Sequence, residues 1–266
     1  MANMDWRIIV EDELSGSWNM AVDQAILRSI EAGESGPVVR LYGWKKPTLS
    51  LGYSQKWERE LNKEKIDTDA LNVVRRFTGG RGVLHANELT YSVIAPISDD
   101  WRNTLSSTYD FIATCLYEAL QSQGFPVQIE RGDHTEGFSK LGASKPCFAS
   151  TSRSEILLND KKLIGSAQRR TKSAFLQHGS ILIGKEHLDI TQYLNLNNEE
   201  ESHHLESLKK SSSYLQENST RIINVDELKK SFVDAFAKHI PTIQTGELTP
   251  QEVKRAEELE SSCRIF

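Results

Sequence analysis

Between Val127 and Ile183 the chain presents one strand-like segment after another, and this constrains the fold more than any other feature. Val127 to Glu130, Glu155 to Leu158, Lys162 to Ala167 and Leu176 to Ile183 all carry strand patterning. Asn159-Asp160 offers a hairpin turn between the second and third, without the glycine that would strengthen it. Strands that arrive in runs, separated by a few helices, do not make the strict βαβ alternation of a parallel sheet. They predict an α+β fold of mixed, largely antiparallel β-sheets packed by helices.

The flanking sequence fills in the helices. Ser17 is placed to cap a helix reaching Ala32, with Met20, Ile26, Leu27 and Ile30 on one face and Gly33 ending it. Trp6 to Val10, Val38 to Tyr42, Thr48 to Leu51 and Leu89 to Ala95 are strand-like, and Glu58 to Lys65 is a polar helix. Leu105, Tyr109, Ile112, Leu116 and Leu120 recur at helical spacing up to Gly124. The stretch 197–219, rich in Glu, Lys, Ser and Asn, is expected to be a polar loop. Closing helices are expected over about 225–260, with Asp226 and Thr249 near their starts. No repeat or linker divides residues 1–266, so a single domain is expected.

Bulk properties exclude some classes of function. No apolar run approaches the ~20 residues that span a bilayer, and the N-terminus lacks the basic-then-apolar pattern of a secretory signal. A net charge of −5 gives no general reason to expect nucleic-acid binding. The cysteines, Cys115, Cys147 and Cys263, are odd in number and widely spaced, which argues against a disulfide framework or a structural zinc site and for a cytoplasmic location. Cys115 falls in a helical pattern and is expected in the core, and Cys263 is expected near a frayed end. Cys147, preceded by Pro146 among small residues, is the candidate nucleophile.

Around it lie a primary amine and an imidazole: Lys162, then Gly165-Ser166, then Gln177-His178-Gly179-Ser180. A thiol reacts as its thiolate, which a nearby ammonium favours, and the neutral amine would accept a proton from an incoming nucleophile. The plainer reading of Lys162 is a solvated turn lysine beside Lys161. Thr78-Gly79-Gly80-Arg81-Gly82 is neither a Walker loop nor a dinucleotide fingerprint. It forms either a hairpin turn or, with Arg75, Arg76 and Arg81 around it, a cradle for an anionic or carbonyl-bearing ligand. His85 and His178 would polarise a carbonyl, orient a loop or satisfy buried backbone; with Cys147 they also permit a thiol-protease reading, though no Cys-His-Asn pattern accompanies them. His203-His204 is expected at the surface, and no metal constellation is apparent.

Arg75-Arg76-Phe77-Thr78-Gly79-Gly80-Arg81-Gly82-Val83-Leu84-His85, followed by Glu88 to Ser92, resembles the Arg-Arg-x-x-Gly-Gly signature of the lipoate/biotin protein ligase superfamily. Lys162 to Gln168 and Gln177 to Ser180 resemble its second and third blocks, and the similarity runs from Asn19 to the Thr249 helix. Within the superfamily, Cys147 ahead of Lys162 resembles the LipM-type octanoyltransferases, because ligases that make an acyl-adenylate need no cysteine there. Arg81, where ligases usually carry glycine, and Ala86, where they commonly carry aspartate, agree with that. The accessory domain that many ligases carry is not expected after the closing helices.

The resemblance implies Cys147 and Lys162 as catalytic residues. It implies Arg75, Gly79, Gly80, Arg81, His85, Gly165, Ser166, His178 and Gly179 as the substrate-binding set. It implies transfer of octanoyl from acyl carrier protein to a lipoyl-domain lysine, such as that of the glycine cleavage H protein, with no cofactor and no metal. Neither nucleic acid nor membrane is an expected partner, and a monomer is expected. An ATP-dependent lipoate ligase, an octanoyl amidotransferase between lipoyl domains and a non-catalytic lipoyl-domain binder are the alternatives.

Overall fold

The computed structural model describes residues 5–97, 104–130 and 154–266. The chain opens with β1 (Arg7–Leu14), α1 (Gly16–Glu31), β2 (Val38–Trp44) and β3 (Thr48–Leu51). Two short helices, α2 (Trp57–Glu60) and α3 (Lys63–Thr68), precede β4 (Asn72–Arg75), β5 (Val83–His85) and β6 (Glu88–Pro96). The long α4 (Leu105–Ser122) leads to β7 (Val127–Glu130). Then come β8 (Glu155–Leu158), β9 (Lys161–Lys162), β10 (Ile164–Arg170) and β11 (Ala174–Leu182). The C-terminal part holds α5 (Asn198–Ser211), α6 (Val225–His239), β12 (Gln244–Thr245) and α7 (Pro250–Cys263).

The strands form a six-stranded sheet ordered β10-β11-β6-β2-β1-β12 and two three-stranded sheets, β4-β3-β5 and β7-β8-β9. Pairing is antiparallel from β10 to β2 and parallel from β2 to β12. The expected α+β architecture with mixed, largely antiparallel sheets is what the chain adopts. Strand alternation divides the large sheet's two faces. Ile8, Val39, Leu41, Tyr91, Val93 and Phe175 enter one core cluster. Ile9, Val38, Tyr42, Ile94 and Leu176 enter the other, with Met20, Val22 and Ile26 of α1.

Local chemistry explains where the elements start and turn. Ser15, two residues before the expected cap, receives the Trp18 N–H at the start of α1. Asn62 caps α3 and splits the expected polar helix in two. Asn159 and Asp160 both take positive φ, 54° and 59°, the conformation of a tight two-residue hairpin turn. Thr249 and Glu252 form a capping box, with Pro250 in the first turn of α7.

Three expectations need correction. The 197–219 stretch is not a polar loop: Asn197 and Glu200 make a capping box for α5. Acidic residues sit in its first turn and Lys209 and Lys210 in its last, matching the helix dipole, while Leu208 is buried beneath it. His204 is buried on the same helix, although His203 is exposed. Cys263 is not at a frayed end; it is buried at the close of α7, and burial raises its thiol to about 11. Cys115 is fully buried in α4 as expected.

Candidate active site

Cross-strand register builds the first part of the site. Arg40 of β2 faces Ser92 of β6, and Ser92 faces His178 of β11, so three polar side chains form a row across the sheet. Asp23 of α1 lies over that row. Its Oδ1 accepts from Arg40 Nη1 at 3.0 Å and Ser92 Oγ at 2.9 Å; its Oδ2 accepts from Tyr42 OH at 3.0 Å and His178 Nδ1 at 3.1 Å. Burial alone would raise the Asp23 carboxyl, but the His178 hydrogen bond and the Arg40 charge outweigh it and hold it below the usual aspartate value.

His178 shifts down, because burial outweighs its bond to the Asp23 carboxylate. A neutral ring that donates from Nδ1 must accept at Nε2, and there the Thr78 hydroxyl sits at 2.6 Å. The imidazole thus ties the Gly-rich loop to the sheet in one fixed tautomer.

The arginines brace that loop. Arg76 is buried and donates to Ser50 O, Ser50 Oγ, Gly79 O and Arg81 O at 2.7–3.0 Å. Arg75 Nη1 donates to Gly52 O at 3.1 Å and Gln55 O at 2.7 Å, so it braces the neighbouring loop. Gly80 takes a φ of 93°. Its carbonyl lies so close to Gly52 that a Cβ there would come within 2.1 Å of it. Arg81 is half-buried at the turn, and its carbonyl receives Arg76.

Below the loop lies a pocket of about 340 Å³, counting its open mouth. Met20, Tyr42, Trp44 and Val83 give it apolar surface; Gly165, Ser166, His178 and Gly179 complete the wall. His85 also lines it, stacked on Trp44 with ring centroids 3.9 Å apart. Ser50 Oγ accepts from Arg76 and lies 2.7 Å from His85 Nε2, while His85 Nδ1 faces Glu88 Oε1 at 2.9 Å. Of the expected substrate-binding residues, the structure gathers His85, Gly165, Ser166, His178 and Gly179 around one pocket. Arg75 is turned to a loop, and Gly79 lies outside the pocket wall, accepting from Arg76.

Lys162 ends the β8–β9 hairpin and is 5% exposed, which removes the solvated-turn reading. Its Nζ donates to Glu155 Oε1 at 2.5 Å, and its carbonyl receives the Ser213 N–H at the end of α5. Leu163 then carries the chain between sheets: its N–H bonds Ile156 O and its carbonyl accepts from Leu182 N. This single residue sets Lys162 in the small sheet and Gly165-Ser166 in the large one. Cys147, the expected nucleophile, lies outside the described residues.

The model of the lipoyl protein ligase A/B catalytic domain matches residues 15–237. The chain belongs to this family. Among its similar members is an octanoyltransferase LipM from Brevibacillus brevis, 37% identical over 96% of this chain and 94% of the relative. Another, from Staphylococcus epidermidis, is 34% identical over 97% of this chain and 96% of the relative. Among solved structures, a bipartite lipoate protein ligase from Thermoplasma acidophilum superposes with a TM-score of 0.77 at 21% identity, covering 97% and 92% of the two chains. A lipoate-protein ligase A bound with ATP gives 0.74 at 23% identity over 97% and 95%. These last two likenesses establish the lipoyl ligase fold.

Several residues of this candidate site were given no role from the sequence. Asp23 and Arg40 are charges inside apolar patterns, one on the buried face of α1 and one within Val38-Val39-Arg40-Leu41-Tyr42. Two opposite charges placed where apolar residues belong are a signal of a buried pair. Trp44 and Glu155 carried no such signal, since each is ordinary at a strand end.

Proposed function

We propose that the protein moves an octanoyl group from acyl carrier protein to the lysine of a lipoyl domain, such as that of the glycine cleavage H protein, through a Cys147 thioester. The octanoyltransferase activity, in lipoate biosynthesis, rests on relatives so named that match nearly the whole chain at 32–37% identity. The single structural observation that supports it best is the pocket itself. Apolar side chains line one part, Gly165-Ser166 closes another, and the buried Lys162 lies on the strand just before. Burying the seven alkyl carbons of an octanoyl chain at ~0.8 kcal/mol each contributes about 6 kcal/mol of recognition.

The chemistry runs in two acyl transfers. The Cys147 thiolate attacks the carrier's thioester carbonyl; a C–S bond to the enzyme forms, the carrier's C–S bond breaks, and the carrier thiolate takes up a proton. The acceptor lysine then attacks as its amine. A C–N bond forms, the Cys147 C–S bond breaks, and the amine gives up a proton as the enzyme thiolate returns. Exchange between thioesters is nearly balanced and amide formation is downhill, so neither step consumes ATP. Lys162 favours the thiolate electrostatically, and Glu155 fixes where that charge sits. The same reading makes residues 1–266 one catalytic domain, acting as a monomer in the cytoplasm.

Intact mass spectrometry after mixing with octanoyl-acyl carrier protein, without ATP, tests the proposal. One hydroxylamine-labile octanoyl adduct, absent in Cys147→Ala, is the expected result. Modification of a lipoyl domain that appears only with ATP and free acid would replace it with the ligase reading.

A further inference from the structure

The loop after β3 carries an aromatic side chain that the reading above leaves without a task. Tyr53 is 56% exposed, and no other described aromatic residue is so open. It is nonetheless held in place. Its backbone N–H donates to Thr78 O at 2.9 Å, and its ring meets Phe77 edge-on, with centroids 6.2 Å apart and planes at 78°. Arg169 of β10 completes the platform. Its guanidinium carbon lies 4.3 Å from the Tyr53 ring centre and 3.9 Å from that of Phe77, and Nη1 donates to Phe77 O at 2.9 Å. Three segments distant in sequence thus present one aromatic and cationic surface.

This surface borders the pocket on two sides. Ala167 lines the pocket, and Arg169 follows it on the same face of β10, about 7 Å further along the strand. Thr78, next to Phe77, bonds the pocket-lining His178. The charge of the surface is uncompensated. Arg169 gives its one described hydrogen bond to a carbonyl, and Arg75 Nη1 bonds the carbonyls of Gly52 and Gln55 and lies 3.4 Å from Tyr53 O. Neither arginine forms an ion pair among the described residues.

Tyrosine and arginine are the side chains that most often anchor protein interfaces, and a guanidinium fork held by stacking is preorganised for carboxylates. Tether length decides which protein substrate meets this surface. A carrier presents its acyl group on a long prosthetic arm, so its body can rest away from the pocket. The acceptor lysine joins its own backbone through a four-carbon stem, so its domain must lie against the rim.

We propose that Tyr53, Phe77 and Arg169 form the docking surface for the acceptor lipoyl domain and take an acidic face beside its target lysine. The assignment rests on the acceptor named in the proposed function and deepens it by locating where that partner sits.

Isothermal titration of an apo glycine cleavage H protein into the full chain, with no acyl donor present, measures docking apart from chemistry. Tyr53→Ala is expected to raise Kd by about 10- to 30-fold, the effect of removing a central interface tyrosine, with an unchanged melting temperature because the side chain is exposed. Arg169→Met keeps an apolar stem against the two rings and removes the charge, so Kd rises and its dependence on salt becomes shallower. In the transfer assay, the half-saturating concentration of octanoyl-acyl carrier protein should be the same for Tyr53→Ala and wild type. A Tyr53→Ala Kd equal to wild type, or equal weakening towards the carrier, overturns the assignment while leaving the transfer activity standing. If the wild-type chain neither binds the H protein nor modifies it, the proposed acceptor is wrong and the docking surface falls with it.

Discussion

Lys162 Nζ and Glu155 Oε1 meet at 2.5 Å in the protein interior, with their side chains 6% and 3% exposed. An ion pair so deep offsets its own desolvation only while both partners are present; removing one strands a buried charge and costs about 3–5 kcal/mol. Lys162→Ala is therefore expected to lose both activity and stability. The double variant Lys162→Met, Glu155→Leu should recover most of the stability in urea unfolding and none of the transfer activity. Recovery of both would deny Lys162 a role in the chemistry.

The Asp23 carboxylate accepts from Arg40, Tyr42, Ser92 and His178. Asp23→Ala leaves Arg40 buried without that anion and releases the His178 tautomer. Destabilisation of about 3–5 kcal/mol is expected from equilibrium denaturation. A change below about 0.5 kcal/mol, the range of ordinary surface substitutions, would show that the network does not hold the fold.

Acid should weaken the protein before its carboxylates titrate. His187 is buried, held by Ser212 Oγ at 2.8 Å, and burial lowers it from 6.5 to about 4; His178 shifts the same way. Between those values the unfolded state binds more protons than the folded one, so stability rises with pH there. The stabilisation is complete above pH 6.5 and is lost on acidification towards 4, about 3 kcal/mol from His187 alone. Asp23, also lowered, removes more at still lower pH. Urea midpoints across pH 4–7 should flatten in His187→Gln; an unchanged slope would place the effect elsewhere.

Gly179→Ala tests the packing between β6, β10 and β11. The added methyl would meet Tyr91, the Gly165 carbonyl and Ser166 Oγ at 2.7–2.8 Å, and strands cannot yield as a flexible side chain does. A loss of about 1–3 kcal/mol is expected, with transfer activity reduced further than stability. Wild-type melting and activity would mean that the strands move apart freely.

Much of the local structure was legible because it depends on near neighbours. Asn159-Asp160 tolerates positive φ, which places the hairpin wherever it sits. The periodic apolar residues of α4 and the Thr249 cap act within one or two turns. Resemblance of the Arg75 to His85, Lys162 to Gln168 and Gln177 to Ser180 blocks pointed to the family, and Lys162 stood out among them. Residues 197–219 were misread because composition counts few apolar side chains, whereas a capping box and the burial of Leu208 decide a helix.

What the sequence by itself determined is therefore the set of elements and the blocks that carry chemistry. Tertiary structure alone decided which of those residues touch. Asp23 and His178 are far apart along the chain, and only the β2-β6-β11 register puts Arg40, Ser92 and His178 in one row beneath α1. Lys162 became a buried partner of Glu155 because α5 closes over β9, and Ser166 reached Tyr91 because the chain changes sheets at Leu163. Register is a collective property: slipping a strand by one residue turns every side chain to the other face, so these contacts are chosen by the packing of both cores together.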